Sequence, residues 1–476
     1  HTLSFVTGYV EYDTSETYDV DYTAAPILDD SRLSEDYDQF SQEIRLTSPG
    51  GETVDYIVGA FYQDSSLDFG DSINVPTDSL LRLLANPFAG ISTRRVFEQD
   101  TEVWAAFGQA TWNVTEAWRL ILGARYTQED KDGYRKQAHF DTAGLEVAAT
   151  DPRSALYNVL WGRLAIEPNE LEDSRSEDAF TPQVILQWDA TGDLMLYASY
   201  VEGFKSGGYD NRSNAHPDPA VVVPGTGPNV VGAWEFDKEE ATSFEVGFKS
   251  TLADGAAELN GALFYTEYDD LQTSVFDGVV GFNVQNAGKA TTQGMELDGR
   301  WLLHEYFTLS GSLGYLDFEF DDFDVAQCWF GQAQLEPDRV TNAALSQCDA
   351  SGERKEFTPE WKGVVTADFN YPVTDALELR AMVDLQYTDS YLWTPQLDPR
   401  TEQDAFTKVN ARIALAESSS DTWEVALIGS NLTDERTHSY GGTGVLAGTL
   451  TGGTGMAYYA FTDRPRSYSL QGTYRF

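Results

Sequence analysis

Residues that could carry out catalysis are few in this chain of 476 residues. The five histidines are His1, His139, His216, His304 and His438. None of them forms a metal-binding pair at helical spacing, and none stands beside a nucleophile motif. Gly-x-Ser-x-Gly and phosphate-binding loop patterns do not occur. His438, at the end of a strand-like run, is a weak candidate for a hydrolase. The sequence therefore predicts a protein that is not an enzyme and holds no metal or cofactor.

Two cysteines, Cys328 and Cys348, lie within the predicted connection 321–355. The oxidising environment of a cell surface would join them in a disulfide that restrains this connection. Two free thiols and a metal-binding pair are the alternatives. The lack of a nearby histidine favours the disulfide over the metal pair.

Acidic residues dominate the charge of the chain. There are 77 Asp and Glu against 31 Lys and Arg, which gives a formal net charge of −46. Contacts with phosphates need clustered Lys and Arg, so this balance excludes nucleic acid as a partner. Carboxylates cluster in the predicted connections 14–37 and 321–355, where they could bind divalent cations. No EF-hand pattern occurs, and a solvated acidic surface is the simpler interpretation.

The elements that must position these residues are predicted to be β-strands. Apolar and polar side chains alternate with a period of two, so each run has one apolar and one polar face. The mean hydropathy is negative and no apolar run is long enough for a transmembrane helix. No amphipathic helix is predicted. Sixteen strand-like runs lie near 3–13, 38–48, 53–67, 101–113, 116–134, 178–189, 192–205, 238–252, 255–271, 288–303, 306–320, 356–370, 375–391, 403–417, 421–437 and 463–476.

Short and long connections alternate between these runs. Turn residues fill short ones such as 113–115 and 189–192, whereas 68–100, 135–177 and 206–237 are long. This layout is typical of an outer-membrane β-barrel and differs from a sandwich or a propeller. The predicted fold class is therefore all-β, an antiparallel transmembrane outer-membrane β-barrel. It forms a single domain over residues 1–476, with a periplasmic C-terminus.

Aromatic residues are predicted to mark both edges of a membrane-spanning band. Trp104 and Trp112 share one face of a run and lie roughly 26 Å apart at about 3.3 Å per residue. This distance is close to the height of the apolar band of such barrels, about 25 Å. Ordinary core packing is the alternative. A girdle beside the short turns is predicted from Trp118, Trp188, Trp301, Trp361 and Trp423.

The polar faces of the runs carry charged residues, among them Glu43, Arg45, Arg300 and Arg412. Buried charges need partners, because an unpaired charge in a low-dielectric interior is costly. The interior is therefore predicted to be filled either with water, as in a porin, or with a matching plug, as in a gated transporter.

A series of short motifs runs through the chain, at 40–49, 56–62, 196–200, 203–208, 243–249, 286–290, 294–297, 357–359, 429–435 and 474–476. They include FSQEIRLTSP at 40–49, GFKSGG at 203–208, NAGKA at 286–290 and GSNLTDE at 429–435. Each motif is weak alone. In their order and spacing they resemble the TonB-dependent outer-membrane receptors, which transport ferric siderophores, vitamin B12 and some carbohydrates. The resemblance covers essentially the whole chain.

The resemblance implies parts that the sequence does not show. Family members have a 22-stranded barrel, preceded by a plug domain and a short energy-coupling box. The sequence shows sixteen strands and neither of the other parts. We therefore expect this chain to be part of a 22-stranded barrel, with the plug and roughly six N-terminal strands missing (22 − 16). A porin-sized barrel closed by sixteen strands alone is the alternative.

The resemblance also implies a function in the outer membrane of a Gram-negative bacterium. Extracellular loops would bind a scarce ligand, most simply a ferric siderophore or similar iron complex, and the inner-membrane TonB complex would then displace the plug. A carbohydrate or cobalamin transporter, a passive porin and a surface interaction barrel are the alternatives. The implied partners are the TonB complex, the plug, the lipid bilayer with its lipopolysaccharide, and the small-molecule ligand. Phe476 looks like the family's signal for barrel assembly.

Ligand contacts are expected from cationic and aromatic residues of the long connections. Such groups suit an anionic, ring-bearing iron chelate. The predicted contact residues are Arg94, Arg95, Phe204, Lys205, Arg212, Trp329, Phe330, Tyr391, Trp393 and Tyr440.

Overall fold

A single antiparallel sheet of sixteen strands dominates the computed structural model. The structure describes residues 1–22, 26–29, 31–83, 90–148, 150–218, 232–276, 280–343, 346–418, 422–444 and 455–476. Each strand pairs with the strands before and after it in the chain, and each predicted run falls on one of them. The strands are β1 (Thr2–Tyr18), β2 (Ser31–Thr47), β3 (Val54–Asn74), β4 (Ser92–Asn113), β5 (Trp118–Phe140), β6 (Asn169–Thr191), β7 (Leu194–Lys205), β8 (Glu239–Leu252), β9 (Ala257–Phe276), β10 (Phe282–His304), β11 (Phe307–Asp322), β12 (Trp361–Thr374), β13 (Leu377–Thr388), β14 (Phe406–Glu417), β15 (Trp423–Ser430) and β16 (Ser467–Tyr474). The predicted antiparallel all-β architecture is confirmed.

Alternation along the strands gives the sheet an apolar outward face and a polar inward face. On β4, Val96, Trp104 and Trp112 are 45%, 55% and 47% exposed, whereas Phe97 and Val103 between them are buried. One face of β4 therefore exposes large apolar side chains to its surroundings, which the surface of a water-soluble protein rarely does. This pattern is expected where lipid covers the outside of a sheet.

Two contacts show that the sheet curls around its polar face. Tyr22, just beyond β1, stacks on Tyr459, just before β16, with ring centroids 4.1 Å apart. A segment between β7 and β8 contacts both Lys131 on β5 and Gln272 on β9. The polar face is therefore concave. Among the described residues no pairing joins β1 to β16, so the sheet has two edge strands.

Aromatic rows border the apolar band, as predicted, with one correction. Trp118 and Trp188 stack with centroids 5.1 Å apart beside short turns. Trp361, which was predicted beside a short turn, begins β12 at the end of a long connection. It packs 4.8 Å from Tyr315 and belongs to the opposite row. The prediction placed the start of this strand five residues too early and therefore confused its two ends.

Several strands continue well beyond the outer aromatic row. β1 and β2 pair as far as Tyr18 and Ser31, although residues 14–37 were predicted to be a loop. On the outward face of the extended β3 and β4, Asp64 lies opposite Glu102 in the strand register, and Asp68 lies opposite Glu98. Part of the negative charge therefore lies on strands rather than in loops. The boundaries were missed because polar residues on both faces remove the alternating signal there.

The long connections fold into small elements of their own. Helices are α1 (Ser154–Arg163) and α2 (Gln332–Leu335), with 3-10 turns at Leu80–Leu83, Ala253–Gly255, Pro337–Arg339 and Pro399–Thr401. Within the described residues no helix is long and apolar enough to cross a membrane. Short strands form hairpins, Gly208–Tyr209 with Glu235–Phe236, Tyr391–Leu392 with Glu402–Gln403, and His438–Thr443 with Tyr458–Thr462. A three-stranded sheet joins Ala326–Gln327, Val340–Asn342 and Gln347–Cys348.

An apolar core lies among these connections, at the end of the sheet. It draws residues from the connections after β1, β3, β5 and β7, including Leu28, Val75, Trp161 and Ala215. The helix α1 was not predicted, although Tyr157, Leu160 and Trp161 lie at helical spacing and are buried. A helix of fewer than three turns gives a weak pattern. Burying each large side chain stabilises this core by about 2 kcal/mol.

Candidate ligand-binding site at the mouth of the sheet

A segment between β7 and β8 folds back against the inner face of the sheet. We call its described parts, residues 206–218 and 232–237, the inner strap. Its two halves pair as the hairpin of Gly208–Tyr209 and Glu235–Phe236. Asp210 also accepts a 2.5 Å hydrogen bond from the backbone N–H of Val284 on β10. The strap therefore lies inside the curve of the sheet and not above it.

Cations of β5 and β6 hold the strap through its backbone. Lys131 donates hydrogen bonds to the Ser206 hydroxyl at 2.9 Å and the Gly207 carbonyl at 2.7 Å. Arg175 donates to the Phe236 carbonyl at 2.8 Å. We call Lys131, Arg135 and Arg175 the strap cluster. Carbonyl acceptors and charged donors form stronger bonds than neutral pairs do.

Arg135 is the centre of the strap cluster and is fully buried. One guanidinium nitrogen, Nη1, donates to the carbonyls of Asp210 at 2.7 Å and Ala233 at 3.0 Å, one on each half of the strap. Its guanidinium lies 5.2 Å from the Trp234 ring centroid. Burial lowers the pKa of Arg135 to about 10, and nearby Arg95 acts in the same direction. The group stays protonated at neutral pH, so its charge is held by dipoles and the aromatic face.

Arg95 on β4 links the strap to the neighbouring wall. Its guanidinium forms a 2.5 Å ion pair with Asp71 of β3 and donates to the Ser213 carbonyl at 3.0 Å. A further bond of 3.2 Å reaches the side chain of Asn214. Burial raises the pKa of the Asp71 carboxyl, and Arg95 opposes that rise. The pair is enclosed and therefore geometrically fixed.

A cavity of about 370 Å³ lies beside this pair. Arg95, Arg212 and Asn214 supply polar groups from one side, and Tyr18 and Tyr459 supply rings and hydroxyls. Burial raises the pKa of Tyr18 to about 12, so its hydroxyl remains protonated and can donate a hydrogen bond. A cavity of this size, with rings and a few convergent polar groups, can bind a small molecule. Remaining lining residues are Glu16, Val20, Tyr22, Leu33, Phe69, Asp71, Ile73, Val280, Gly281, Phe282 and Thr443.

Larger grooves, of about 430 and 510 Å³, lie elsewhere on the sheet. Leu259, Leu263, Leu313 and Trp301 line them. These side chains belong to the outward apolar face and are 37–56% exposed. Their position and chemistry suit lipid chains, so these grooves are not candidates for a polar ligand.

A second group of cationic and aromatic residues lies in the connections after β11, β13 and β15. We call Trp329, Phe330, Asp398, Arg400 and Tyr458 the Arg400 cluster. The Arg400 guanidinium lies 5.2 Å from the Trp329 ring and 5.7 Å from the Tyr458 ring. It pairs with buried Asp398 at 2.8 Å, and this hydrogen bond raises the pKa of Arg400. The Arg400 side chain remains 46% exposed.

The predicted contact residues separate into three sets. Arg95 and Arg212 meet at the cavity, and Trp329 and Phe330 meet at Arg400. Trp393 stacks on His438, and the Tyr391 hydroxyl donates to the His438 carbonyl, close to the second group. Three of the remaining ones lie apart from both cavity and cluster: Arg94 points outward over Phe140, and Phe204 and Lys205 end β7. Tyr440 packs on Phe461 and on Tyr459, which lines the cavity.

Other site residues were not predicted from the sequence. Lys131 lies in the predicted run 116–134, and Arg400 stands in a short polar connection. Arg135 and Arg175 fall in the predicted connection 135–177 and Asp71 in 68–100, although the structure places all three on strands. Arg135 and Arg175 could have been found in the sequence by looking for arginines at inward positions beyond the outer aromatic row. The structure joins Cys328 and Cys348 in a disulfide, which closes the connection carrying Trp329.

Comparison with known proteins identifies the family. Residues 1–432 match the family described as TonB dependent receptor-like, beta-barrel. The chain belongs to this family. An outer-membrane location is typical of its members, and the related proteins are transport receptors and not enzymes.

Individual relatives of this receptor barrel are more distant. The pesticin receptor of Yersinia enterocolitica is 25% identical over 267 residues, which are 56% of this chain and 32% of that protein. The metal-pseudopaline receptor CntO of Pseudomonas aeruginosa is 26% identical over 206 residues, 43% of this chain and 22% of that protein. The matches to these relatives therefore cover only about a third of their length or less.

Solved structures share the fold of this receptor barrel. The ferric yersiniabactin uptake receptor FyuA from Yersinia pestis gives a TM-score of 0.69 at 17% identity, covering 99% of this chain and 58% of that one. The siderophore receptor PiuA from Acinetobacter baumannii gives 0.63 at 16% identity, covering 99% and 61%. At these identities the likeness shows the fold alone.

Proposed function

We propose that this chain is the barrel of a TonB-dependent transporter that takes up a metal chelate, a ferric siderophore or a similar complex, across the outer membrane. The observation that carries the proposal is the cavity at the mouth, where Arg212 and Arg95 meet Tyr18 and Tyr459. The charge of Arg95 is balanced by Asp71, whereas the exposed guanidinium of Arg212 beside these rings suits an anionic chelate built from aromatic or carboxylate groups. The name of one relative, the metal-pseudopaline receptor CntO, supports the same ligand class.

The proposal includes parts outside this chain. A plug domain and further N-terminal strands would complete the barrel, and the inner-membrane TonB complex would drive transport. Two observations support this arrangement. An exposed sheet edge is not stable in lipid, and both β1 and β16 are edges. Inward charges at the membrane level, such as Arg45 and Arg125, are only half-buried and suit a packed partner.

A passive porin is the weaker candidate, because the inner strap occupies part of the lumen. Transport would instead be gated and selective. The barrel would contact lipid with its apolar band and lipopolysaccharide with the strand extensions above it.

Uptake by the full-length receptor tests the proposal. The receptor would be expressed in a bacterial strain that lacks its own siderophore receptors, with and without a functional TonB. Radiolabelled ferric catecholate, hydroxamate and phenolate chelates, cyanocobalamin and a maltodextrin would be offered separately. We expect TonB-dependent uptake of at least one ferric chelate. Uptake of cobalamin or maltodextrin alone, or uptake independent of TonB, would contradict the proposal.

A charge reversal locates the site. Arg212→Glu should weaken binding of the transported chelate about tenfold, a loss of about 1.4 kcal/mol, because it removes a cation from the cavity. Arg153→Glu is the matched control, since Arg153 lies in another connection and pairs with Asp141 and Asp151. Equal effects of the two changes would exclude the cavity as the binding site.

A further inference from the structure

The inner strap is fixed to the wall by several hydrogen bonds from charged side chains. Three cations reach its backbone from β5 and β6, and Gln272 of β9 donates to the carbonyls of Ser206 at 2.9 Å and Asp237 at 3.0 Å. Both halves of the strap are thus tied to strands on opposite sides of it. A mobile loop would leave these donors unpaired and buried, which is costly.

Apolar packing adds a second attachment. Tyr209 stacks on Trp234 at 4.7 Å, and Trp234 packs edge-on against Phe97 of β4 at 6.3 Å. All three rings are buried. Gly133 of β5 provides the space, because a Cβ at this position would overlap the Tyr209 ring. The wall and the strap are complementary in shape as well as in charge.

The attached strap carries two residues into the cavity. Asn214 is buried, and its carbonyl accepts a 2.7 Å bond from Gln137 of β5. Arg212, two residues earlier in the chain, has an exposed side chain. Its backbone N–H donates a 2.7 Å hydrogen bond to the Asp210 side chain. Asp210 also provides the carbonyl that Arg135 binds. Arg135 is thus connected to Arg212 through Asp210, whose side chain also accepts the bond from Val284.

We propose that the inner strap is a permanent wall of the ligand vestibule, and that Arg135 is the positioning residue that holds Arg212 at the cavity. The position of the strap follows from the contacts above, whereas its role in ligand selection rests on the proposed function. The strap then belongs to the barrel itself and keeps its place whether or not a plug is present. Ligand selection is accordingly encoded by β5 and the connection after β7.

Chemical labelling tests the position of the strap without any ligand. Ser213 is fully buried in the strap, and both native cysteines of this chain are in the disulfide, so Ser213→Cys introduces a single thiol into it. The full-length receptor in outer-membrane vesicles would be treated with a membrane-impermeant maleimide. We expect slow labelling in the parent and labelling at least about tenfold faster with Arg135→Met, because local opening exposes the thiol.

Two further variants keep the labelling test decisive. Lys136→Met is the matched control, because Lys136 is the next residue of β5 and points outward to Glu146. It should leave the labelling rate unchanged. Gly133→Ala removes no charge but displaces Tyr209, so it should accelerate labelling even if Arg135→Met fails to assemble. Fast labelling of the parent, or unchanged labelling in Gly133→Ala, overturns the proposal.

Uptake kinetics test the positioning role. Arg135→Met should raise the apparent KM for the transported chelate about tenfold with little change in the maximal rate, since binding and not translocation is affected. Arg135→Lys keeps a cation at this position and should recover part of the affinity. A fall in maximal rate with unchanged KM would contradict positioning. Absence of chelate uptake by the parent would reject the proposed function while leaving the labelling result intact.

Discussion

The strap cluster and the Arg400 cluster use the same chemistry for different ends. Each places a guanidinium against a tryptophan ring, 5.2 Å from its centroid. Arg135 is fully buried and binds strap carbonyls, whereas the side chain of Arg400 is 46% exposed. A cation without access to solvent stabilises structure, and a cation with an open edge can still bind a ligand. Burial, more than residue type, separates the two roles.

The difference extends to the surroundings of the clusters. Around the strap cluster, strands β4, β5 and β6 extend far beyond the outer aromatic row and form a tall wall. β13, β14 and β15 are shorter, and the connections there form the mouth with small hairpins and a disulfide. The long strands of the tall wall enclose Arg135, whereas the shorter strands β13 to β15 leave Arg400 partly exposed.

Removing the carboxylate of the buried pair should have the largest effect. Asp71→Ala leaves the Arg95 charge buried without its counter-ion, and breaking such a pair costs about 3–5 kcal/mol. Thermal unfolding of the purified full-length receptor should show a clearly lower Tm. Asp100→Ala, on the exposed outward face of β4, is the control and should have little effect. Equal Tm values for both variants would show that the buried Asp71–Arg95 pair does not stabilise the tall wall.

Acidification should destabilise the tall-wall side of the mouth and not the side that holds Arg400. The expected loss of stability is somewhat smaller than that for Asp71→Ala. His139 is buried against Trp161, and burial lowers its pKa to about 4 from an ordinary value of 6.5. The neutral form is therefore favoured by folding. This contribution, about 3 kcal/mol at most, is fully present above about pH 6.5 and is lost as the pH falls towards 4.

Hydrogen exchange at pH 7 and pH 4.5 measures this loss. Protection should fall around α1 and the end of β5 but not around Arg400. His139→Phe should remove the pH dependence, whereas His304→Phe, at the other end of the sheet, should retain it. Equal loss of protection on both sides would remove the distinction between them.

A change in the Arg400 cluster should have the smallest effect on stability. Phe330→Leu removes a half-buried ring that lies 5.9 Å from the Arg400 guanidinium, and an exposed cation–π contact is worth about 0.5–1 kcal/mol. If this cluster binds the chelate, affinity should fall roughly fivefold while Tm stays nearly constant. Isothermal titration and thermal melting of the same sample give both values. A large fall in Tm with unchanged affinity would make this cluster structural, like its buried counterpart.

Strand content could be predicted from the sequence because membrane strands obey one local rule. Trp104 and Trp112 must face lipid, so every second residue between them must face inward, and the period of two is visible in the sequence. Beyond the outer aromatic row both faces can be polar. The rule therefore fails there, and the ends of β1 and β2 were placed in a loop.

Only part of the candidate site could be predicted. Cationic and aromatic residues in long connections were reasonable choices, and Arg95, Arg212 and Trp329 do lie at the cavity or the Arg400 cluster. Arg94 was chosen beside Arg95 although neighbours in a strand face opposite ways. Arg135 was missed because its partners, Asp210 and Ala233, are about 75 and 98 residues away in the chain.

The sequence by itself determined the sixteen strands, their order and the side of each that faces lipid. These features depend on alternation between neighbours and on turn residues, which are local properties. Only the tertiary structure decided that the connection after β7 folds inward, that Arg135 is enclosed and that Arg400 is open. Those outcomes depend on contacts between residues far apart in the chain, and burial, which sets the role of a charge, exists only once such contacts have formed.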